Sequence, residues 1–218
     1  MRAPRTIARA GFLRLEVEPH ETPAPRKIAE AVQLLHGGGV LAYPTDSVYA
    51  LGCAIDSRDG TKRIYRAKQM PERQRLALIC PELSSAAEYA HFNQTAYKLA
   101  RRVFPGPYTL VLPATRQLPR ILMDKKRRTV GIRISSHPIT RALVKELGRP
   151  LLTSSAIPVD EEDACVDADE VIEAFGSHVD MVVDGGYTNN EPSTVIEVDG
   201  GGITVIREGS GPIDDILK

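Results

Sequence analysis

Apolar positions in this chain fall into short blocks whose spacing switches between two periods. Between Ala24 and His36, the residues Ile28, Ala31, Val32 and Leu35 recur at steps of three and four, which puts them on one face of a helix. Gly37, Gly38 and Gly39 close that pattern, as glycine does just past a helix terminus. Val40 to Tyr43 is then a run of strand formers; Pro44 interrupts it by removing a backbone donor and fixing φ, and Val48 to Leu51 resumes it. The stretch Val40–Cys53 therefore reads as strand, tip, strand. Helical spacing returns at Asp59–Gln69, with Ile64 and Ala67 inward and Lys62, Arg63, Arg66 and Lys68 outward. It recurs from a Ser84 cap to Tyr89, from an Asn93 cap to Val103, and at Pro138–Leu147 and Asp167–Phe175. Further strand-like runs are Phe12–Val17, Leu76–Cys80, Tyr108–Leu112, Val130–Ile134, Leu151–Thr153, Val179–Val183, Thr194–Val198 and Ile203–Ile206. Alternating strands and helices predict an α/β domain, and the last two strands, joined by Gly200–Gly202, predict an antiparallel or mixed portion. With no internal repeat and no low-complexity linker, residues 1–218 read as one domain.

The tip Thr45-Asp46-Ser47 places three small hydrogen-bonding side chains beside packed strands, where unpaired polar groups are costly. It fits a solvated hairpin turn and a ligand rim equally well. Composition adds bounds. No apolar run approaches the roughly 18 residues of a membrane span, so no membrane association is expected. Cys53, Cys80 and Cys165 are odd in number and widely spaced, which predicts reduced thiols and a cytoplasmic setting. Net charge is zero but uneven: residues 58–133 hold 17 Lys/Arg against 5 Asp/Glu, and residues 159–218 hold 2 against 16. Either one face seeks anions, or the two charge sets face each other and neutralise.

No phosphate-binding glycine loop of the usual kinds, no metal-ligand spacing and no nucleophile elbow is present. His137 ahead of Pro138 reads as a helix-start residue. What remains is a set of hydroxyls and cations at strand and helix ends: the tip at Thr45, Lys68 before Pro71, Arg133, Thr153-Ser154-Ser155, Ser193-Thr194 and Arg207. Such groups converging on one place are what an anionic ligand such as a phosphate requires.

The motifs Tyr43-Pro-Thr-Asp-Ser-Val-Tyr-Ala-Leu-Gly52, Pro105-Gly-Pro-Tyr-Thr-Leu-Val-Leu112, Gly131-Ile-Arg133 with His137-Pro138, Ser193-Thr-Val195 and Ile206-Arg207 resemble the YrdC/YciO family, over a core of about 28–211. The resemblance implies a twisted mixed α/β sheet with helices packed on it and a basic concave surface. It implies synthesis or processing of L-threonylcarbamoyl-adenylate from threonine, bicarbonate and ATP, used for modifying adenosine in tRNA. On that resemblance Thr45 and Thr109 hold threonine, Lys68 and Arg133 act on the carbamate and phosphate oxygens, and Ser155, Ser193 and Arg207 contact the ATP or AMP moiety. Mg²⁺ accompanies the ATP, with no protein metal site implied.

Two positions depart from the family's synthases. Their Lys-x-Arg reads here as Lys68-Gln69-Met70, and their Ser-x-Asn reads as Ser155-Ala156-Ile157, which sets the chain nearer the YciO branch. One cation and one amide are thereby missing, and Arg66, Arg73 and Arg75 are the candidates to replace the charge. Two other readings accompany the enzyme. One is a double-stranded RNA or tRNA-binding protein using Lys125, Lys126, Arg127 and Arg128, by shape rather than by base stacking, since the chain has no Trp and four Phe. The other is a binding module that keeps the pocket without turnover.

Overall fold

The computed structural model describes residues 13–17, 23–70, 76–119, 122, 128–200 and 202–217. In chain order the elements are β1 (Leu13–Glu16), α1 (Pro25–His36), β2 (Leu41–Tyr43), β3 (Ala50–Ala54), α2 (Arg58–Ala67), β4 (Ala77–Ile79), α3 (Leu83–Tyr89) and α4 (Gln94–Val103). They continue with β5 (Tyr108–Pro113), β6 (Thr129–Arg133), α5 (Pro138–Leu147), β7 (Leu151–Ser155), α6 (Ala168–Phe175), β8 (Met181–Asp184), β9 (Thr194–Asp199), β10 (Gly202–Arg207) and α7 (Asp214–Leu217). The strand-tip-strand reading holds, because β2 and β3 pair antiparallel with Leu41 opposite Gly52 and Tyr43 opposite Ala50. The second strand begins two residues later than its apolar run suggests. The Thr45 hydroxyl donates to the Val48 carbonyl at 2.7 Å, so this segment belongs to the tip. Helix α3 is preceded by Glu82 rather than capped by Ser84, whose hydroxyl donates to the Glu82 carboxylate. Asn93 caps α4 as expected, accepting from the Ala96 amide at 2.8 Å.

The strands form one mixed sheet in the order β1-β8-β2-β3-β7-β4-β6-β5-β9-β10. β1, β8 and β2 run parallel, as do β4 with β6 and β5 with β9, while the remaining neighbours are antiparallel. Side chains alternate between the two faces along each strand. One face carries the larger core, which runs from Val40 and Ala42 through Leu78, Ile132 and Leu110 to Ile196, packed by α2, α4 and α6 through Ile64, Leu99, Ala100, Val171 and Phe175. The opposite face is covered only in part. There α1 (Ile28, Ala31, Val32, Leu35) and α5 (Ile139, Leu143, Val144, Leu147) pack on Leu41, Tyr43, Ala50, Ile79, Leu151 and Met181. Beyond β7 and β4 this face turns from aliphatic to polar, and the hollow described below begins.

The last strands are tied down by one hydroxyl. Buried Thr194 Oγ1 donates to the Gly211 carbonyl at 2.6 Å and accepts the amides of Gly209 at 3.0 Å and Gly211 at 3.1 Å. Tyr108 adds a bond from its hydroxyl to the Pro212 carbonyl at 3.0 Å. Thr194→Val keeps the shape and leaves these backbone groups unpaired, so it is expected to destabilise the fold by about 2–4 kcal/mol. Urea unfolding measures this, and a loss below about 0.5 kcal/mol would contradict the assignment.

Candidate anion-binding site

Strands β7, β4, β6, β5 and β9 turn Thr153 and Ser155, Ala77, Gly131 and Arg133, Thr109 and Val111, and Val195 to the uncovered face. Their even-numbered neighbours Leu152, Leu78, Ile132, Leu110 and Ile196 belong to the core on the other side. The result is a cavity of about 890 Å³. Its floor is kept low by small residues. A Cβ at Gly131 would come within 3.1 Å of the Thr109 methyl and 3.2 Å of the Ala77 Cβ. Lys68, Gln69, Met70 and the segment Ile157–Asp160 close one side, and Ser193, Ile206 and Arg207 the other.

Arg207 reaches this face through an irregularity. Val205 pairs with Ile196, but Arg207, two residues on, pairs with Val195, so Ile206 is the extra residue of a bulge. In an unbroken ladder Arg207 would face Thr194 and point toward the core side; the bulge turns it to the cavity. There its guanidinium donates to the Ser193 carbonyl at 2.8 Å. The residue as a whole stays exposed, but partial burial of the guanidinium, and after it the positive charge of Arg133, hold its pKa below the ordinary arginine value.

Arg133 ends β6 and is 4% exposed. One of its terminal nitrogens donates to the Asp46 carboxylate at 2.8 Å and to the Ser47 hydroxyl at 3.0 Å. Its Nε finds no hydrogen-bond partner. Lys68, at the C-terminus of α2, was expected to face solvent with the other cations of its helix. It turns inward instead, because the helix ends there and Gln69 adopts φ 46°. Its ammonium donates to the Ile157 carbonyl and lies 5.9 Å from the centre of the Phe175 ring. Burial without a carboxylate partner lowers its pKa to about 8, which the Cys165 thiol offsets in part.

The structure thus brings six of the expected residues, Lys68, Thr109, Arg133, Ser155, Ser193 and Arg207, to one cavity. Thr109 and Ser193 are joined hydroxyl to hydroxyl at 2.8 Å. Thr45 is placed differently. At 2% exposed it is not among the lining residues, and its oxygen is engaged with the Val48 carbonyl, the Ser47 amide and the Ser47 hydroxyl. It stands one side chain behind Arg133, through Ser47. Asp46 and Ser47, read only as part of a polar tip, are the partners that hold Arg133. Nothing in their spacing announces a contact that spans 87 and 86 positions of chain. His137 is the N-cap residue of α5, as its place before Pro138 suggests.

Met70 and Ile157 both line the cavity, so the two departures fall within it. Arg66 does not supply the missing charge, since it is exposed on α2 and is not a lining residue. Arg73 and Arg75 lie outside the described residues, as do Lys125, Lys126 and Arg127. Of the basic run only Arg128 is described, exposed just before β6. All three cysteines are free and buried. No helix among the described residues is long and apolar enough to cross a membrane.

The model of the Sua5/YciO/YrdC family, described as telomere recombination, matches residues 33–209. The chain belongs to this family. It is 37% identical to the YciO protein of Escherichia coli over 90% of its own length and 96% of the relative's, and 32% identical to a threonylcarbamoyl-AMP synthase of Vibrio vulnificus over 72% and 86%. Among solved structures, E. coli YciO superposes with a TM-score of 0.90 at 36% identity, covering 94% of this chain and 100% of that one. The P. abyssi Sua5 complexed with L-threonine superposes with a TM-score of 0.86 at 30% identity, covering 93% of this chain and 59% of that one. The twisted mixed sheet expected from the motifs is the architecture these relatives share.

Lys68 gives this family cavity a pH signature. Its folded pKa lies below the ordinary lysine value of 10.5, so its contribution to fold stability grows as pH rises through about 8 toward that value. An anion makes the opposite demand, because it needs the ammonium charged. Sulfate keeps its charge over this range, so its thermal stabilisation of the protein is expected to shrink from about pH 7 to about pH 9. Lys68→Met should remove that dependence; an unchanged pH profile in the variant would contradict the placement.

Proposed function

We propose that this cavity binds ATP or its adenylate together with L-threonine, and forms or processes L-threonylcarbamoyl-adenylate. One observation carries the reading: three cations and five hydroxyl residues from separate segments meet in one hollow, and Asp160 is the one acidic residue among its described lining residues. A family relative named as a threonylcarbamoyl-AMP synthase supports the choice of reaction.

In the forward direction a threonine carbamate oxygen attacks the α-phosphorus of ATP. A phosphorus–oxygen bond forms to the carbamate, the bond to the β-phosphate bridging oxygen breaks, and pyrophosphate carries away the electron pair. Such a step asks the protein for positioning and for stabilisation of growing negative charge. Arg133 supplies a guanidinium held by Asp46, Lys68 an ammonium at the cavity wall, and Arg207 a second guanidinium. Thr109, Ser155 and Ser193 donate to nucleotide or substrate oxygens. Val111, Val195 and Ile206 offer an apolar wall for the base. Thr45 acts on threonine only through Ser47 and Arg133 in this arrangement. Among the described residues no group of His, Cys, Asp and Glu is disposed to hold a metal. In this reading magnesium arrives with the nucleotide as part of the substrate.

Titration calorimetry with AMP, ATP and the threonylcarbamoyl adduct tests the proposal. Binding is expected, and Arg207→Ala should weaken it by about tenfold or more, as loss of a charged donor to phosphate does. No heat with any of the three ligands would end the proposal. The missing donors give a second test. Met70→Arg combined with Ile157→Asn restores a cation and an amide to the wall, and should raise threonine-dependent pyrophosphate release by at least about tenfold, each such donor being worth roughly 3–4 kcal/mol. A rate unchanged by the pair would mean that these positions do not limit turnover.

A further inference from the structure

We infer that Asp46 is a positioning residue of the anion site, acting on the ligand only through Arg133. The inference rests on the proposed binding of an adenylate and names the group that makes its deepest cation usable. Asp46 is not among the cavity's lining residues, so it does not itself meet a ligand. Its side chain and that of Arg133 are 6% and 5% exposed, which makes this the most deeply buried ion pair among the described residues.

The geometry is directional. One carboxylate oxygen takes the Arg133 nitrogen at 2.8 Å. The other accepts the Ser136 amide at 2.6 Å and the Ser136 hydroxyl at 3.1 Å. The carboxylate is thus fixed from behind by the backbone leading into α5, and it fixes the guanidinium in front of it. Ser47 fills the remaining position on the same nitrogen at 3.0 Å. With its side-chain bonds to Asp46 and Ser47 both on that one nitrogen, Arg133 lines the cavity while its Nε stays buried and unpartnered. A buried donor left without a partner costs stability unless a ligand completes it. An acceptor oxygen of a phosphate or carboxylate is the group that fits.

Asp46 also lowers the net positive charge of the site. If charge alone governed binding, removing the carboxylate would tighten it; if orientation governs, removal loosens it. Calorimetry with AMP on Asp46→Asn is expected to show affinity reduced by about tenfold. In an Arg133→Gln background the same Asp46 substitution should change affinity by less than about twofold, because its route to the ligand is gone. A merely structural role would give equal losses in both backgrounds and would overturn the inference, as would unchanged or tighter binding in Asp46→Asn. If thermal melting shows that Asp46→Asn does not fold, Asp46→Glu carries the same comparison, since it keeps the charge and displaces it by one methylene. Absence of AMP binding by the unaltered protein would remove the proposed function and this inference together; binding that is indifferent to Asp46 removes the inference alone.

Discussion

A strand shows half its side chains to each side of its sheet, and the two sides of this sheet are treated differently. Helices α2, α4 and α6 close the side that holds Leu78, Leu110, Ile132 and Ile196, while α1 and α5 cover the other side no farther than Ile79 and Leu151. Thr109, Arg133, Thr153 and Ser155 stand just beyond that limit. Most of their polar groups are satisfied by protein partners, Thr109 by Ser193, Arg133 by Asp46 and Thr153 by Tyr43, while their backbones are anchored by a packed core on the reverse face. Precise placement and solvent access are thus obtained from the same strands, which is what a pre-organised site requires.

The three cations are stabilised in three ways, and each way sets what the cation can do. Arg133 is withdrawn from water and has a carboxylate partner that fixes its direction. Arg207 sits on a carbonyl and feels the charge of Arg133, a repulsion that an anion between them would relieve. Lys68 has a carbonyl and an aromatic face but no carboxylate, and its pKa falls accordingly. Buried ion pairs contribute little net stability compared with apolar packing. The Arg133–Asp46 pair is better understood as holding a direction than as holding the fold together.

Much of this was legible in the residue pattern. The helical faces of α1 and α5, the capping Asn93, the β2–β3 pair and the set of strand-end hydroxyls follow from period and local chemistry. The inward turn of Lys68 is not legible in the helical period, which assigns it a solvent face, whereas the helix stops at Ala67 and the chain turns through Gln69. That Thr45 stands behind the cavity lining is not legible, because a polar tip does not say which of its hydroxyls is engaged locally, and here Thr45 bonds the Val48 carbonyl. The bulge at Ile206 was invisible for a different reason. The run from Gly202 to Arg207 alternates no better with one register than with the next, and only pairing with β9 decides which face Arg207 takes.

The departures at Met70 and Ile157 are informative about energy rather than location. Interactions that a ligand makes equally well before and during reaction increase affinity without accelerating chemistry; only those strengthened in the transition state do so. The retained groups, Arg133 held by Asp46 and the linked hydroxyls of Thr109 and Ser193, are preformed, and on the proposed function they would serve an anion already in its ground state. The two exchanged positions present a thioether and a branched alkyl chain where the family's synthases present donors that reach the developing charge. On the proposed function, a cavity altered in this way would keep recognition and give up rate. The same wall then suits capture or slow processing of a finished adenylate better than rapid turnover of ATP, because a finished adenylate asks for contacts that persist and not for contacts that appear only as the phosphorus–oxygen bond breaks.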